Sequence, residues 1–186
     1  MIKFVLHGGN TSEKNLDNNS FFKEMILGKE GKVRILLNYF ARDEHELNEL
    51  SIQDMKRFKK LSVIKDLSFE IAHPNKLPQQ LKWSDVMYIR GGLTEQLMRK
   101  LSLTKDFERH FDGKTIGGSS AGVYALVKYY FSNDSKKIGK GLGILNIKAY
   151  CHYEQKDRGV IEKLASYKEK LPILVLPNYK RVVIYK

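Results

Sequence analysis

The tightest constraint on this chain is the stretch Lys114–Ala125, where a short run meets Gly117-Gly118-Ser119-Ser120-Ala121-Gly122 and resumes as Val123-Tyr124-Ala125. Small residues on both sides of a serine let a strand turn sharply into a helix with the hydroxyl exposed at the bend. The spacing Gly118-x-Ser120-x-Gly122 is that of a nucleophile elbow. The N–H groups after the serine open the helix, so positive dipole collects where an oxyanion would form. Ser120 lies midway between the glycines and is the candidate nucleophile, with Ser119 as the alternative frame. By itself the pentapeptide is equally compatible with a plain tight turn, so its meaning depends on the rest of the chain.

Around this turn, short apolar runs alternate with amphipathic ones. Ile2–Leu6, Val33–Leu37, Leu67–Ile71 and Ser84–Arg90 read as strands, and two further strands, Pro172–Pro177 and Arg181–Tyr185, close the chain. Helices are expected around Phe21-Phe22-Met25-Ile26, Met55-Phe58-Leu61, Leu97-Met98-Leu101, Phe107–Phe111 and Ile161-Leu164-Tyr167. Ser51-x-x-Asp54 has the form of a capping box at the start of the second of these, and Thr94 is placed to cap the third. The alternation predicts an α/β fold, a mostly parallel sheet with helices on both faces, in one domain spanning residues 1–186. Such sheets carry their sites at the carboxyl ends of the strands. The Gly91-Gly92 turn and the elbow both fall there. The Gly91-Gly92 turn leaves backbone N–H groups open to an oxyanion or another anion. His7-Gly8-Gly9 is similar to the oxyanion loop of lipase-like hydrolases but one glycine short, and otherwise reads as a turn.

The chain has 33 basic and 21 acidic residues, a formal charge of +12. The clusters Lys56-Arg57-x-Lys59-Lys60 and Lys136-Lys137-x-x-Lys140 are not interleaved with aromatics, which favours solvated faces over a nucleic-acid stripe. No apolar run reaches the roughly 18 residues of a membrane helix, and no signal peptide is apparent, so the expected location is the cytoplasm. The single cysteine, Cys151, reads as a small buried hydrophobe. Asp43-Glu44-His45-Glu46 lacks a second ligand pair and reads as a solvated acidic turn rather than a metal site.

Three motifs in order, Arg90-Gly91-Gly92-Leu93-Thr94-x-x-Leu97, Gly118-Ser119-Ser120-Ala121-Gly122, and Gly141-Leu142-Gly143-Ile144-Leu145 followed by His152-Tyr153, resemble those of the dipeptidase E family, peptidase family S51. These are serine peptidases on a class I glutamine amidotransferase-like, flavodoxin-like fold, with the cyanophycinases as relatives. The resemblance implies a nucleophile at Ser120, a general base at His152, a third triad member at Asp134, and an oxyanion hole from the N–H groups of Gly91 or Gly92 and of Ala121. Arg158 is the nearest candidate for recognising an acidic substrate side chain. The implied partner is a short peptide or small amide, with neither nucleic acid nor membrane; a homodimer is an open option. No metal or organic cofactor is called for.

The sequence departs from the family pattern at three places. Leu93 stands where the glycine motif usually continues with Asn. The segment after His152 is shorter than in aspartyl dipeptidases. The late Pro-Glu-Gly of many members reads Pro177-Asn178-Tyr179 here. These departures motivate an alternative, a non-catalytic module that holds a small anion. An α/β-hydrolase esterase is disfavoured because only 32 positions separate Ser120 from His152.

Overall fold

The computed structural model describes all residues, Met1–Lys186. The first part alternates strands and helices: β1 (Lys3–His7), α1 (Leu16–Ile26), β2 (Val33–Asn38), α2 (Leu47–Leu61), β3 (Leu67–Ile71), α3 (Leu77–Trp83), β4 (Val86–Ile89), α4 (Thr94–Leu101), β5 (Thr115–Ser119) and the short α5 (Ala121–Leu126). There follow β6 (Val127–Phe131), β7 (Ile138–Lys140), β8 (Leu145–Cys151), α6 (Arg158–Ser166), β9 (Ile173–Leu176) and β10 (Arg181–Tyr185).

The strands make two sheets, of order β10-β1-β5-β4-β2-β3 and β7-β6-β8-β9. The first is parallel apart from β10, which runs antiparallel to β1. In the second, β8 pairs parallel with both β6 and β9, and β7 is antiparallel to β6. The expected α/β architecture is present, and the smaller sheet is an addition to it. Val127-Lys128-Tyr129-Tyr130-Phe131 follows α5 without a loop, and this valine-led, aromatic run forms a strand.

Alternation along the strands explains why both faces of the large sheet are covered. Phe4, Leu6, Leu36, Met87 and Ile89 pack with Leu81, Leu97 and Leu101 from α3 and α4. Their neighbours Val5, Ile35, Leu37, Val86 and Tyr88 pack with Phe21, Phe22 and Met25 of α1 and Phe58 of α2. Each such fully buried side chain contributes about 1.5–3 kcal/mol of transfer free energy.

Two local expectations fail. Ser51 lies inside α2, which begins at Leu47, and its hydroxyl donates back to the Asn48 carbonyl at 2.9 Å, a bond made within helices rather than at their caps. Thr94 is the first residue of α4 rather than its cap, and no side chain caps that helix. The solvated reading of Lys56–Lys60 holds for three lysines but not for Arg57, which is buried and donates to the carbonyls of Thr11, Ser12 and Glu13. No helix is long and apolar enough to cross a membrane.

Candidate active site

Ser120 sits between β5 and α5 with φ 49° and ψ −107°. A non-glycine residue in that region costs on the order of 1–3 kcal/mol and persists only where its surroundings hold it. Here its N–H donates to the His7 carbonyl at 3.0 Å. The flanking Gly122 is required by close approach, because a Cβ there would lie 2.3 Å from the Ile89 carbonyl oxygen of β4. The elbow sequence thus folds as a sharp turn pressed against the end of the neighbouring strand, and Ser120 projects beyond it.

His152 reaches the serine from the other sheet. It follows the last residue of β8, has φ 58°, and donates its N–H to the Gly8 carbonyl at 3.1 Å. The Oγ of Ser120 lies 2.8 Å from Nε2 of His152. Gly9 lies flat against the ring: a Cβ at this position, where φ is +128°, would be 2.0 Å from Cε1 of His152. The His7-Gly8-Gly9 turn is therefore a cradle for the histidine rather than a lipase-like oxyanion loop.

The partner of His152 on its far side is Asn178, whose Oδ1 lies 2.6 Å from Nδ1. The parallel pairing of Cys151 with Leu176 brings the ends of β8 and β9 side by side, which puts Asn178 within reach. An amide oxygen only accepts, so this contact places the ring proton on Nδ1 and leaves Nε2 free to accept from the serine hydroxyl. Asp134, expected to complete the triad, lines the same pocket but is exposed and bonds no nitrogen of His152. Its neighbour Asn133 donates instead to the Cys151 carbonyl at 3.0 Å. The residue bonded to Nδ1 thus falls at the departure Pro177-Asn178-Tyr179, an amide where the resemblance implies a carboxylate elsewhere.

The glycine turn after β4 closes the site on the opposite side. A Cβ on Gly91 would lie 3.1 Å from the Cβ of Ser120. The N–H groups of Gly91 and Gly92 donate to no protein acceptor, and that of Ala121, in the first turn of α5, has no partner within the helix. These donors border Ser120, as an oxyanion hole would require. Leu93 is largely exposed on the pocket rim, and its N–H donates to the Ala41 carbonyl at 2.9 Å. The pocket itself measures about 520 Å³, within the range of small-molecule sites, and is polar, with only two hydrophobic residues among its lining.

A buried charged network shapes one wall. Arg90, directly before the glycines, holds both carboxylate oxygens of Asp54 at 2.6 Å and the Oγ of Ser12 at 2.6 Å. Tyr39 donates to the same carboxylate at 3.0 Å. Burial pushes the Asp54 carboxyl up and the guanidinium pulls it back, while the acid keeps Arg90 charged. Together with Arg57, this network pins the Ser12–Glu13 segment of the pocket wall. Charged residues read as solvated by default, so none of the three was expected here. Beneath the site, burial pushes the His7 imidazole down to about 4, and its Nδ1 accepts the Gly9 N–H at 3.1 Å. The Cys151 thiol is fully buried, and burial pushes it up, away from the reactive thiolate form. Arg158 is exposed at the start of α6 and does not line the pocket.

The family model of peptidase family S51 matches residues 5–186. No curated protein matches the sequence. Among solved structures, a peptidase from an acI-B1 Actinobacterium is similar with a TM-score of 0.68 and 16% identity, over 99% of this chain and 84% of that one. A protein of Listeria monocytogenes EGD-e described as a candidate peptidase E is similar with a TM-score of 0.67 and 18% identity, over 99% of this chain and 94% of that one. At these identities the likeness is one of fold.

Proposed function

From membership in peptidase family S51, to which this chain belongs as a serine-type peptidase, we propose that it hydrolyses short peptides or small amides through an acyl-enzyme on Ser120. The observation that carries this reading is the continuous relay from Ser120 Oγ to His152 Nε2 at 2.8 Å and from His152 Nδ1 to Asn178 Oδ1 at 2.6 Å.

In this reading Nε2 of His152 takes the hydroxyl proton as Oγ attacks the scissile carbonyl carbon. Negative charge moves onto the carbonyl oxygen, where the N–H groups of Ala121 and of Gly91 or Gly92 donate to it. The imidazolium then gives its proton to the leaving amine, and the C–N bond breaks. Water enters, gives a proton to the same nitrogen and attacks the ester carbonyl; the C–Oγ bond then breaks, Oγ takes that proton back from the imidazolium, and the acid product leaves. Asn178 keeps the ring in the tautomer that can accept, a role an asparagine also fills in papain-like sites. A pocket of about 520 Å³ favours short substrates over folded proteins.

Turnover of a short-peptide library by wild-type protein and by Ser120→Ala and His152→Ala tests the reading. Hydrolysis lost in both variants, with unchanged circular dichroism, is the expected result. Hydrolysis that survives Ser120→Ala would contradict it.

A further inference from the structure

We propose that this site, if it is the peptidase site described above, selects substrates whose acyl residue carries a positively charged side chain, lysine or arginine, in preference to an acidic one. Ser120 and His152 define the site, and the charge of the walls around them determines what it accepts.

Those walls run against the charge of the chain. Basic residues outnumber acidic ones 33 to 21 overall, yet the pocket is lined by Glu13, Asp43, Glu46 and Asp134 and by a single cation, Arg42. That cation is already committed. Its Nε donates to the Gly91 carbonyl at 2.6 Å, and Nη1 lies 3.3 Å from Oε1 of Glu46. Arg42 and Glu46 therefore offset each other, and Glu13, Asp43 and Asp134 leave the pocket with a negative balance. Glu13 is held in place by the Tyr179 hydroxyl, which donates to Oε1 at 2.8 Å and leaves Oε2 free of protein partners. Asp134 bonds no protein group through its carboxylate. Arg158, the residue that would have received an acidic side chain, is outside the pocket.

The overall charge does not reverse this. Exposed charges are screened beyond roughly 8 Å at physiological ionic strength, so a substrate inside the pocket responds to the carboxylates beside it. A carboxylate on the substrate would meet three like charges and no free cation, whereas an ammonium or guanidinium would meet carboxylate acceptors in the lining. Charge pairs of this kind discriminate by on the order of tenfold or more in kcat/KM.

The test compares lysyl, arginyl, norleucyl and aspartyl aminomethylcoumarin amides, each with free and acetylated α-amine, on wild-type protein and on Asp43→Asn/Asp134→Asn and Glu13→Gln variants. Protection of Ser120 from a fluorophosphonate by lysinamide, norleucinamide and aspartic acid α-amide, whose side-chain carboxylate is free, is measured in parallel, so that selectivity is read even where turnover is slow. The expected result is a preference for lysyl over norleucyl of about tenfold or more, larger still over aspartyl, that shrinks in the variants and with added salt. Comparing blocked with free amines separates the side-chain charge from that of the α-ammonium. A preference confined to free amines, an equal or better aspartyl substrate, or a ratio unmoved by the variants overturns the inference while labelling of Ser120 leaves the peptidase reading standing. Absence of labelling overturns both.

Discussion

His152 Nδ1 lies 2.6 Å from Oδ1 of Asn178, so the group that orients the histidine beside Ser120 is a neutral amide. An amide sets the tautomer and ring direction as a carboxylate does, but adds no full negative charge to the imidazolium that forms when the serine proton is taken. In the proposed mechanism the orienting and the charge-stabilising roles of a third triad member are thereby separable.

Replacing Asn178 with Ala removes both the acceptor and the preferred tautomer. The expected loss in kcat/KM is on the order of 10- to 100-fold with little change in KM, measured on any hydrolysed amide. Asn178→Asp restores an acceptor and adds charge, and is expected to match or exceed wild type. An Ala variant with wild-type kcat/KM would remove Asn178 from the account.

Gly9→Ala places a methyl group 2.0 Å from Cε1 of His152 at a φ of +128°. The ring must swing away from Ser120, and a displacement of about 1 Å at a reacting group costs roughly 100-fold in rate. Labelling by a fluorophosphonate should slow by a similar factor while the protein stays folded.

Arg90→Met leaves the Asp54 carboxylate buried without its guanidinium. Breaking a buried pair from one side costs about 3–5 kcal/mol, which in a chain of this size lowers Tm by roughly 10 °C or more. Adding Asp54→Leu removes the orphaned charge and should recover part of the loss. A single variant that melts within a degree or two of wild type would show that the pair is not maintained in solution.

Acid sensitivity follows from His7. Above its ordinary pKa of 6.5 the imidazole is neutral in both states, and its contribution is fully present. Between 6.5 and about 4 the unfolded chain takes up a proton that the buried ring does not, so stability falls as pH falls; below about 4 the loss is complete. The total is about 3 kcal/mol. Urea denaturation of wild type and His7→Asn at pH 7 and pH 4.5 should show a smaller acid loss in the variant, whose amide oxygen can still accept from the Gly9 N–H. Equal losses would place the acid sensitivity elsewhere.

The parts of the fold that were legible are those where a local pattern and the long-range structure agree. Apolar runs such as Val33–Leu37 and Val86–Ile89 become the buried parallel strands, and the elbow spacing becomes a strained turn at Ser120. The small sheet was less legible because β6 follows α5 with no turn residue between Leu126 and Val127. Asn178 was hidden by chemistry rather than by pattern: Asp134 has the expected side-chain type at a familiar place, whereas the orienting group is an amide brought in by the pairing of β8 with β9. Arg90, Asp54 and Arg57 were missed because burial of a charge depends on partners distant in sequence, here Ser12 and the carbonyls of residues 11–13.

The most direct test is fluorophosphonate labelling of the purified protein, read by intact mass and peptide mapping. An activated serine is predicted to take one adduct, on Ser120, absent from Ser120→Ala and strongly slowed in His152→Ala. A folded protein that takes no adduct, or takes it on Ser119 or elsewhere, would contradict the account.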